Sequence, residues 1–165
     1  MGYTHYWYKV KELPKDKWEL FLDDFSKLIH ESKFGDLIEG GIHGEAYQDD
    51  IVDFNGIGEE AHENFYFPRV EYTSKFTQYQ NGKIFNFCKT ARKEYDPVVC
   101  SALIVAKKHF GSLIDISSDG SNEAEMWHEA KEYCQNTLGY GAQFEFSNQG
   151  NGIFRRKQKV EEFPN

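Results

Sequence analysis

The chain has few cysteines and no paired-cysteine motif. Its three cysteines are far apart in the sequence, and they are Cys88, Cys100 and Cys134. Disulfide frameworks and four-thiolate zinc sites need paired cysteines, so the sequence disfavours both. Unpaired thiols are typical of a reducing compartment, and we therefore expect a cytoplasmic protein.

Positive charge is also scarce. The 165 residues include 19 lysines and arginines against 27 acidic residues, which gives a formal net charge of −8. Proteins that bind extended nucleic acid or anionic membranes rely on clustered positive charge, so this balance argues against both partners. A local cationic pocket for a small anionic ligand is still compatible with it.

Long apolar segments are missing too. The longest apolar run, VVCSALIVA at 98–106, is too short to span a bilayer. The opening MGYTHYWYKV has neither the basic region nor the apolar region of a secretory signal. Both observations favour a protein that acts inside the cell and does not span a membrane.

The motifs of common nucleotide and hydrolase sites do not occur. There is no Walker A, G-x-G-x-x-G or G-x-S-x-G pattern, and the glycines of FNGIGEE (54–60) precede acids that repel phosphate. His62 is followed by Glu63 but by no second histidine four residues later, so no zinc pattern forms. The sequence therefore predicts no metal and no cofactor, and it leaves open whether the protein is an enzyme.

Aromatic residues are abundant and are expected to build the core. The chain has 14 Phe, 10 Tyr and 3 Trp. Apolar residues recur with helical spacing from Trp18 to Ile29, which predicts an amphipathic helix over 14–32. Two further helices are predicted over 97–109 and 121–138, and the one over 97–109 is apolar on most faces, which predicts burial.

Strands are predicted between these helices. β-branched and aromatic residues indicate strands at 3–10, 51–56, 63–72, 82–88 and 112–118 and a hairpin over 143–157. The order predicts one α+β domain over 1–165, with a single mostly antiparallel sheet that carries about three helices. A locally parallel β-α-β segment at 84–147 is also compatible with this order. Asp96 and Pro97 are expected to cap and begin the middle helix.

The stretch FNFCKTARKEYD (85–96) has side chains that a simple turn does not need, namely Lys89, Thr90, Arg92 and Tyr95. If the strands at 84–88 and 112–118 run in the same direction, their ends bring this stretch beside Asp119, at two helix N-termini. Lysine, arginine and hydroxyl groups bind phosphate and carboxylate groups well. We therefore predict a small anion site here, and the alternative is a solvated loop whose cations pair with nearby acids.

Four other residues are candidates on weaker grounds. Asn55 and His62 lie in DFNGIGEEAHENF (53–65), where a histidine beside a carboxylate can act as a general base. His5 and Trp7 share one face of the first strand, and such a face can stack against a base or a sugar. A hydrogen-bonded core position is the more common state of a histidine among aromatic rings, and we favour it for His5.

The sequence resembles a family of small bacterial and viral proteins. The resemblance rests on MGYTHYW at the start and on FNG, HENF, FCKTARKEYD and SDG further along, and it covers most of the chain. It implies no activity and transfers no catalytic role to any residue. If the gene is viral, the protein acts in the host cytoplasm, where sequestering a host immune signalling nucleotide is a natural anti-defence role by analogy.

Three functions fit these observations. The leading one is a binding protein for a small anionic, nucleotide-like or phosphorylated ligand. The cationic stretch would bind the anionic group of this ligand. Its aromatic ring is expected to contact Tyr95, Trp7 or Tyr6, and its polar edges are expected to contact Asn55 or Asp119. The second function is a hydrolase or phosphodiesterase that acts on a similar ligand with His62 or His5 as the base. The third is a protein–protein interaction module, and a homo-oligomer is compatible with all three.

Overall fold

The computed structural model describes residues 3–39, 46–120 and 127–146, together with the backbone of 154–156. Within them the helices are α1 (Lys15–Glu31), α2 (Asp96–Phe110) and α3 (His128–Leu138). The strands are β1 (Thr4–Lys9), β2 (Tyr47–Gln48), β3 (Ile51–Phe54), β4 (Phe65–Pro68), β5 (Tyr79–Gln80), β6 (Lys83–Lys89), β7 (Ile114–Ser118), β8 (Phe144–Phe146) and β9 (Phe154–Arg156). The predicted α+β class is confirmed.

A four-stranded antiparallel sheet forms the centre of the fold. Its order is β5-β6-β1-β7, so β1 pairs with β6 on one side and with β7 on the other. Because both neighbours run opposite to β1, β6 and β7 point in the same direction without pairing. Their last residues, Lys89 and Ser118, pair with Thr4 and His5 at the start of β1. The two strand ends therefore meet at one end of the sheet, as predicted.

The expectation of a single sheet, with a locally parallel segment at 84–147, needs correction. β2, β3 and β4 form a second antiparallel sheet, β8 and β9 form a two-stranded ribbon, and β1 separates β6 from β7. Pro68 ends β4 and Pro14 precedes α1, and proline has no N–H with which to continue a ladder. The two larger sheets are joined just beyond these strand ends, where Glu12 forms a bridge with Val70.

The three predicted helices are present. α1 buries a stripe of five apolar residues, which are Trp18, Phe21, Phe25, Leu28 and Ile29. α2 is the most buried helix, with eleven of its fifteen residues in the interior, as its apolar sequence predicts. The predicted start of the third helix at 121–126 and the predicted hairpin turn at 147–153 lie outside the described residues. No helix in the described ranges is long and apolar enough to cross a bilayer.

Side chains along the first strand point alternately into the core and outward. The core-facing side chains are at most 1% exposed, and they are Tyr3, His5, Trp7 and Lys9. Trp7 packs against Phe65 and Phe67, so it is not the exposed stacking surface considered from the sequence. Tyr6 and Tyr8 point outward and are partly exposed.

Lys9 is a fully buried cation at the end of β1. Its Nζ lies 2.9 Å from Glu71 Oε1, donates to the Pro68 carbonyl over 2.6 Å and lies 5.3 Å from the centre of the Phe67 ring. Burial lowers the pKa of Lys9, and the Glu71 carboxylate partly opposes that shift. Because Phe67 and Pro68 belong to β4, these contacts connect the central sheet to the second sheet.

Replacing Lys9 tests the strength of this connection. Lys9→Met removes the cation and leaves the Glu71 carboxylate, which is 9% exposed, without its ionic partner. Leaving one member of a buried ion pair alone costs about 3–5 kcal/mol. We expect a loss of this size in the free energy of unfolding measured with urea.

The double variant Lys9→Met/Glu71→Leu should recover most of that loss, because apolar residues often replace buried ion pairs with little change in stability. Lys33→Met is the control, since the pair of Lys33 with Glu129 is exposed and should contribute nothing measurable. A double variant no more stable than Lys9→Met would contradict this explanation.

Candidate ligand site at one end of the central sheet

Lys89 and Asp119 flank the first residue of β1. Lys89 ends β6, and Asp119 follows the end of β7 directly. The Thr4 N–H donates to Asp119 Oδ2 over 3.0 Å, and the Asp119 N–H donates to the Thr4 carbonyl over 2.9 Å. Thr4 pairs with Lys89 on its other side. Because both charged residues are exposed, this end of the sheet presents a cation and an anion on either side of one strand.

Aromatic rings lie beside these charges on the outer face of the sheet. Phe87 is the cross-strand partner of Tyr6, and Phe85 is the partner of Tyr8 one row further along. Ring centres are 6.3 Å apart for Tyr6 and Phe85 and 5.8 Å apart for Phe85 and Phe87. We call these four residues the outer aromatic surface. The Tyr6 hydroxyl donates to Asp119 Oδ1 over 3.1 Å, which joins this surface to the charged end of the sheet.

The loop after β6 contains two residues with left-handed backbone conformation. Ala91 and Arg92 have φ angles of 52° and 59°. The Lys93 N–H donates to the Thr90 carbonyl over 3.0 Å, which closes a four-residue turn around them. Two positive φ angles inside such a turn are typical of type I′, which favours Asn-Gly at these positions.

The hairpin between β5 and β6 has the residue types that usually occupy two successive positions with positive φ angles. It places Asn81 and Gly82 at φ angles of 53° and 76°. Ala91 and Arg92 lack this freedom, and the left-handed region costs about 1–2 kcal/mol for a residue that has a Cβ. Strain of this kind is concentrated at ligand sites and switches, where the surrounding structure maintains it.

Arg92 stacks on Tyr3. Its guanidinium carbon lies 4.5 Å from the centre of the Tyr3 ring, in the geometry of a cation–π contact. The N–H groups of Thr90 and Ala91 donate to the Tyr3 carbonyl over 3.0 Å and 3.3 Å, so backbone and side chain fix the loop to the same residue. The guanidinium is therefore positioned beside the start of β1, with its planar donors at the surface.

His62 and Glu63 bind the backbone of Lys89. The Lys89 N–H donates to Glu63 Oε2 over 2.9 Å, and the Lys89 carbonyl accepts from His62 Nδ1 over 2.7 Å. A carbonyl can only accept, so Nδ1 of His62 carries a proton. β5 pairs with β6 only near the start of β6, at Lys83 and Ile84. At the other end of the strand, the side chains of His62 and Glu63 satisfy the backbone groups of Lys89.

Asn55 holds the loop that carries His62. Its Oδ1 accepts from the N–H groups of Gly56 and His62 over 2.7 Å and 2.9 Å. Its Nδ2 donates to the His62 carbonyl over 3.1 Å and to Asn64 Oδ1 over 2.7 Å. All four hydrogen-bonding positions of this amide are used, so Asn55 supports the loop rather than a ligand.

Tyr95 and Cys88 are buried behind this loop. Both side chains donate to the Glu63 carbonyl, Tyr95 over 2.6 Å and Cys88 over 3.5 Å. Burial is the main cause that raises the pKa of both groups, and it raises that of Cys88 to about 12. The thiol is therefore a packing group and not a reactive thiolate, and the Tyr95 ring does not face solvent.

A buried polar network lies directly behind the charged end of the sheet. His5 Nδ1 is 2.8 Å from Ser118 Oγ, and His5 Nε2 is 2.7 Å from Asp96 Oδ1. The Thr90 hydroxyl donates to the same Asp96 oxygen. Cys100 Sγ lies 3.5 Å from His5 Nε2 and 3.7 Å from Asp96 Oδ2. These five residues, which we call the buried network, join β1, α2 and the ends of β6 and β7.

Asp96 does not cap α2, which corrects the interpretation of its sequence. The helix begins at Asp96, with Tyr95 in the N-cap position and no side-chain cap. The N–H groups that a cap would bind, those of Val98 and Val99, donate to the Tyr95 carbonyl instead. The Asp96 carboxylate is thereby available to the buried network.

The predicted site residues fall into two groups. Those exposed near the ends of β6 and β7 are Lys89, Arg92, His62 and Asp119. Those buried in the core or saturated with protein hydrogen bonds are Thr90, Tyr95, His5, Trp7 and Asn55. The sequence analysis missed Phe87 and Phe85, although their alternation with Asn86 and Cys88 is the signal of a strand with two different faces.

Comparison with protein-family models, with curated proteins and with solved structures finds no match to this chain. Its function is therefore inferred from the geometry of this site.

Relieving the left-handed backbone should stabilise the protein. Ala91→Gly removes the Cβ at a φ of 52°, which relieves about 1–2 kcal/mol, while the extra freedom of glycine in the unfolded chain offsets about 0.4–1 kcal/mol. We expect the free energy of unfolding in urea to rise by about 0.5–1 kcal/mol. Ala102→Gly inside α2 is the control and should lower it by about 1 kcal/mol. A loss of stability in Ala91→Gly would contradict the assignment of strain.

Proposed function

We propose that the protein binds a small anionic ligand with an aromatic ring, such as a nucleotide, at the end of the central sheet where β6 and β7 finish. The observation that supports this function is the position of Lys89 and Asp119 next to the outer aromatic surface. Lys89 and Phe87 are two residues apart on one strand, a rise of about 7 Å. A ring and a phosphate of one nucleotide can bridge such a distance.

Lys89 and Arg92 would bind the anionic group. Lysine offers a mobile point charge, and arginine offers a planar fork that matches a phosphate or a carboxylate. The stacking of Arg92 on Tyr3 holds that fork in one orientation before a ligand arrives. A positioned guanidinium loses less conformational entropy on binding than a free one, which supports a role for the strained loop in recognition.

Asp119 would orient the ligand. An ionised carboxylate has about four acceptor positions, and the Thr4 N–H and the Tyr6 hydroxyl use two of them. The remaining positions suit a ribose hydroxyl. Because the carboxylate also repels phosphate, it favours the orientation in which the anionic group lies toward Lys89 and the hydroxyl groups toward Asp119.

Acidic residues near this end limit the size of the ligand. Glu63 accepts from the Lys89 N–H, and Glu60 accepts from the Glu94 N–H over 3.0 Å. These carboxylates would repel a chain of phosphates that extended beyond Lys89 and Arg92. A compact ligand fits this charge pattern better than an extended nucleic acid does. Sequestration of a signalling nucleotide is the version of this function that applies if the gene is viral.

Hydrolysis of a similar ligand is the second candidate function. His5 lies between Ser118 and Asp96 in the order of a nucleophile, a base and an orienting carboxylate. Ser118, however, is 6% exposed and its oxygen already accepts from the Gly120 N–H over 3.0 Å. A substrate would have to displace part of this packing, so the geometry supports binding better than catalysis.

Substitutions at Arg92 should separate recognition from folding. Losing a charge-assisted contact costs about 1.5–3 kcal/mol, which is roughly a ten- to hundred-fold loss of affinity. A thermal-shift screen of nucleoside monophosphates, dinucleotides and cyclic nucleotides supplies the ligand, and calorimetry then measures its Kd. We expect Arg92→Ala to weaken binding by this factor and Arg92→Lys to restore part of it. Arg92→Ala should also lower the free energy of unfolding by about 0.5–1 kcal/mol, because it loses the contact with the Tyr3 ring.

Phe87→Ala and Lys83→Ala complete this experiment. Stacking of a base on a ring contributes about 1–3 kcal/mol, so Phe87→Ala should weaken the same nucleotide by about tenfold. Lys83 lies at the other end of β6 and pairs with Asp115 over 2.8 Å, so Lys83→Ala should bind like the parent protein. Equal effects of Lys83→Ala and Arg92→Ala would show that general charge, and not this site, attracts the ligand.

Recovery of the ligand distinguishes the two candidate functions. The protein is incubated with the nucleotide, heated to denature it and removed, and the supernatant is analysed by chromatography. Intact nucleotide supports binding. A product that disappears in Ser118→Ala and in His5→Gln would favour hydrolysis.

A further inference from the structure

We propose that His5, Asp96 and Cys100 form a binding site for a divalent transition-metal ion, with zinc as the best match. One ligand atom from each residue lies within 4.8 Å of the other two. The three residues come from β1 and from the first two turns of α2, and all three are buried. This site is separate from the ligand site on the outer face and does not depend on it.

The distances from Cys100 Sγ to the other two ligands fit a tetrahedral ion. With Zn–N near 2.0 Å and Zn–S near 2.3 Å, a tetrahedral angle places a nitrogen and a sulfur ligand about 3.5 Å apart. His5 Nε2 and Cys100 Sγ are separated by 3.5 Å, and Cys100 Sγ and Asp96 Oδ2 by 3.7 Å. Asp96 and Cys100 are one helical turn apart, so α2 presents both on the side that faces His5.

The two oxygens of Asp96 have different surroundings. Oδ1 accepts from the Thr90 hydroxyl and lies 2.7 Å from His5 Nε2, whereas Oδ2 faces the thiol of Cys100. Thr90 can therefore keep hold of Oδ1 while Oδ2 binds the ion. Binding would put the metal in place of the proton between His5 Nε2 and Asp96 Oδ1, and the Cys100 thiol would lose its proton to solvent. The contact of 2.7 Å between His5 and Asp96 would open to admit the ion.

Ser118 provides the second contact that metal-binding histidines usually have. A ligating histidine donates its other ring N–H to an oxygen, which fixes the orientation of the ring. Ser118 Oγ lies 2.8 Å from His5 Nδ1 and fulfils this requirement. The rings of Tyr3 and Trp127 pack edge-on against His5 with centres 5.0 Å and 5.3 Å away, so the imidazole is also held by packing.

Tyr3 brings a further polar group next to the proposed ligands. Its hydroxyl is buried without a well-formed hydrogen bond, and Ser118 and Cys100 are among the polar groups around it. Its ring contacts His5 directly. Three protein ligands leave one position of a tetrahedral ion open, and the Tyr3 oxygen or a water bound to it would complete the coordination.

The donor set favours zinc over hard cations. Imidazole and thiolate bind borderline and soft metals, whereas calcium and magnesium need oxygen ligands. A dication with one carboxylate, one thiolate and one neutral imidazole has no net charge, which suits a buried position. Because all three protein ligands are buried, we assign the metal a structural role, in which it fixes the first two turns of α2 to β1 behind the ligand site.

Metal analysis of the intact chain tests this proposal. The protein is produced in minimal medium with zinc or with cobalt, passed over a desalting column with a weak chelator, and analysed by mass spectrometry for bound metal. We expect about one ion per chain. The cobalt form should show a near-ultraviolet thiolate-to-cobalt charge-transfer band and visible bands of a tetrahedral ion.

Cysteine variants identify the ligand. Cys100→Ser should lose the charge-transfer band and lower the bound metal by at least about tenfold, which corresponds to the loss of a ligand. Cys134→Ser is the matched control, because Cys134 is a buried thiol on α3 that contacts the Ser101 carbonyl. It should keep both the metal and the band. Urea unfolding of each variant checks that it is folded.

The parent protein alone can overturn the proposal, even if a variant fails to fold. The metal content of the folded parent protein is compared with that of a control protein that binds no metal. If the parent protein holds no more zinc or cobalt than the control, the site is excluded. A charge-transfer band that persists in Cys100→Ser, or that disappears equally in Cys134→Ser, would exclude Cys100 as the ligand.

Discussion

The burial of His5 is the constraint on which the rest of the structure depends. An imidazole that is fully removed from water must find partners for both ring nitrogens, because an unsatisfied buried polar atom costs about 1–3 kcal/mol. Ser118 and Asp96 supply these partners from β7 and α2. The central strand, the end of its neighbour and the start of the most buried helix are therefore fixed relative to one another by one side chain.

The candidate ligand site is built on residues next to this network. Thr90 precedes the strained turn that carries Arg92, and Ser118 precedes Asp119. The exposed groups are consequently only one or two residues away from side chains that are locked in the core. Sites of this kind hold their geometry without a ligand, because packing and hydrogen bonds behind the surface restrict the loops that form it.

Periodicity in the sequence predicted the helices, and the order of strand, helix and strand predicted the common end of β6 and β7. Neither was sufficient for the roles of single side chains. Asp96 beside Pro97 has the sequence of a helix cap, yet the Tyr95 carbonyl accepts the N–H groups that Asp96 would bind. His5, Asp96 and Cys100 are separated by up to 95 residues, so no local pattern could reveal their contact. The division of one sheet into two was not predicted, because strand propensity does not say which strands pair.

The two faces of β1 couple the core to the ligand site. A strand that shifts by one residue moves every side chain to the opposite face. Such a shift would expose Trp7 and bring Tyr6 and Tyr8 into the core, and it would also separate His5 from Asp96 and Lys9 from Glu71. Two buried polar contacts at opposite ends of the strand thus exclude the alternative register more strongly than apolar burial alone, because apolar rings occur on both faces. The same contacts that stabilise the interior therefore determine that Tyr6, and not Trp7, lies on the outer face, where it pairs with Phe87 and donates to Asp119.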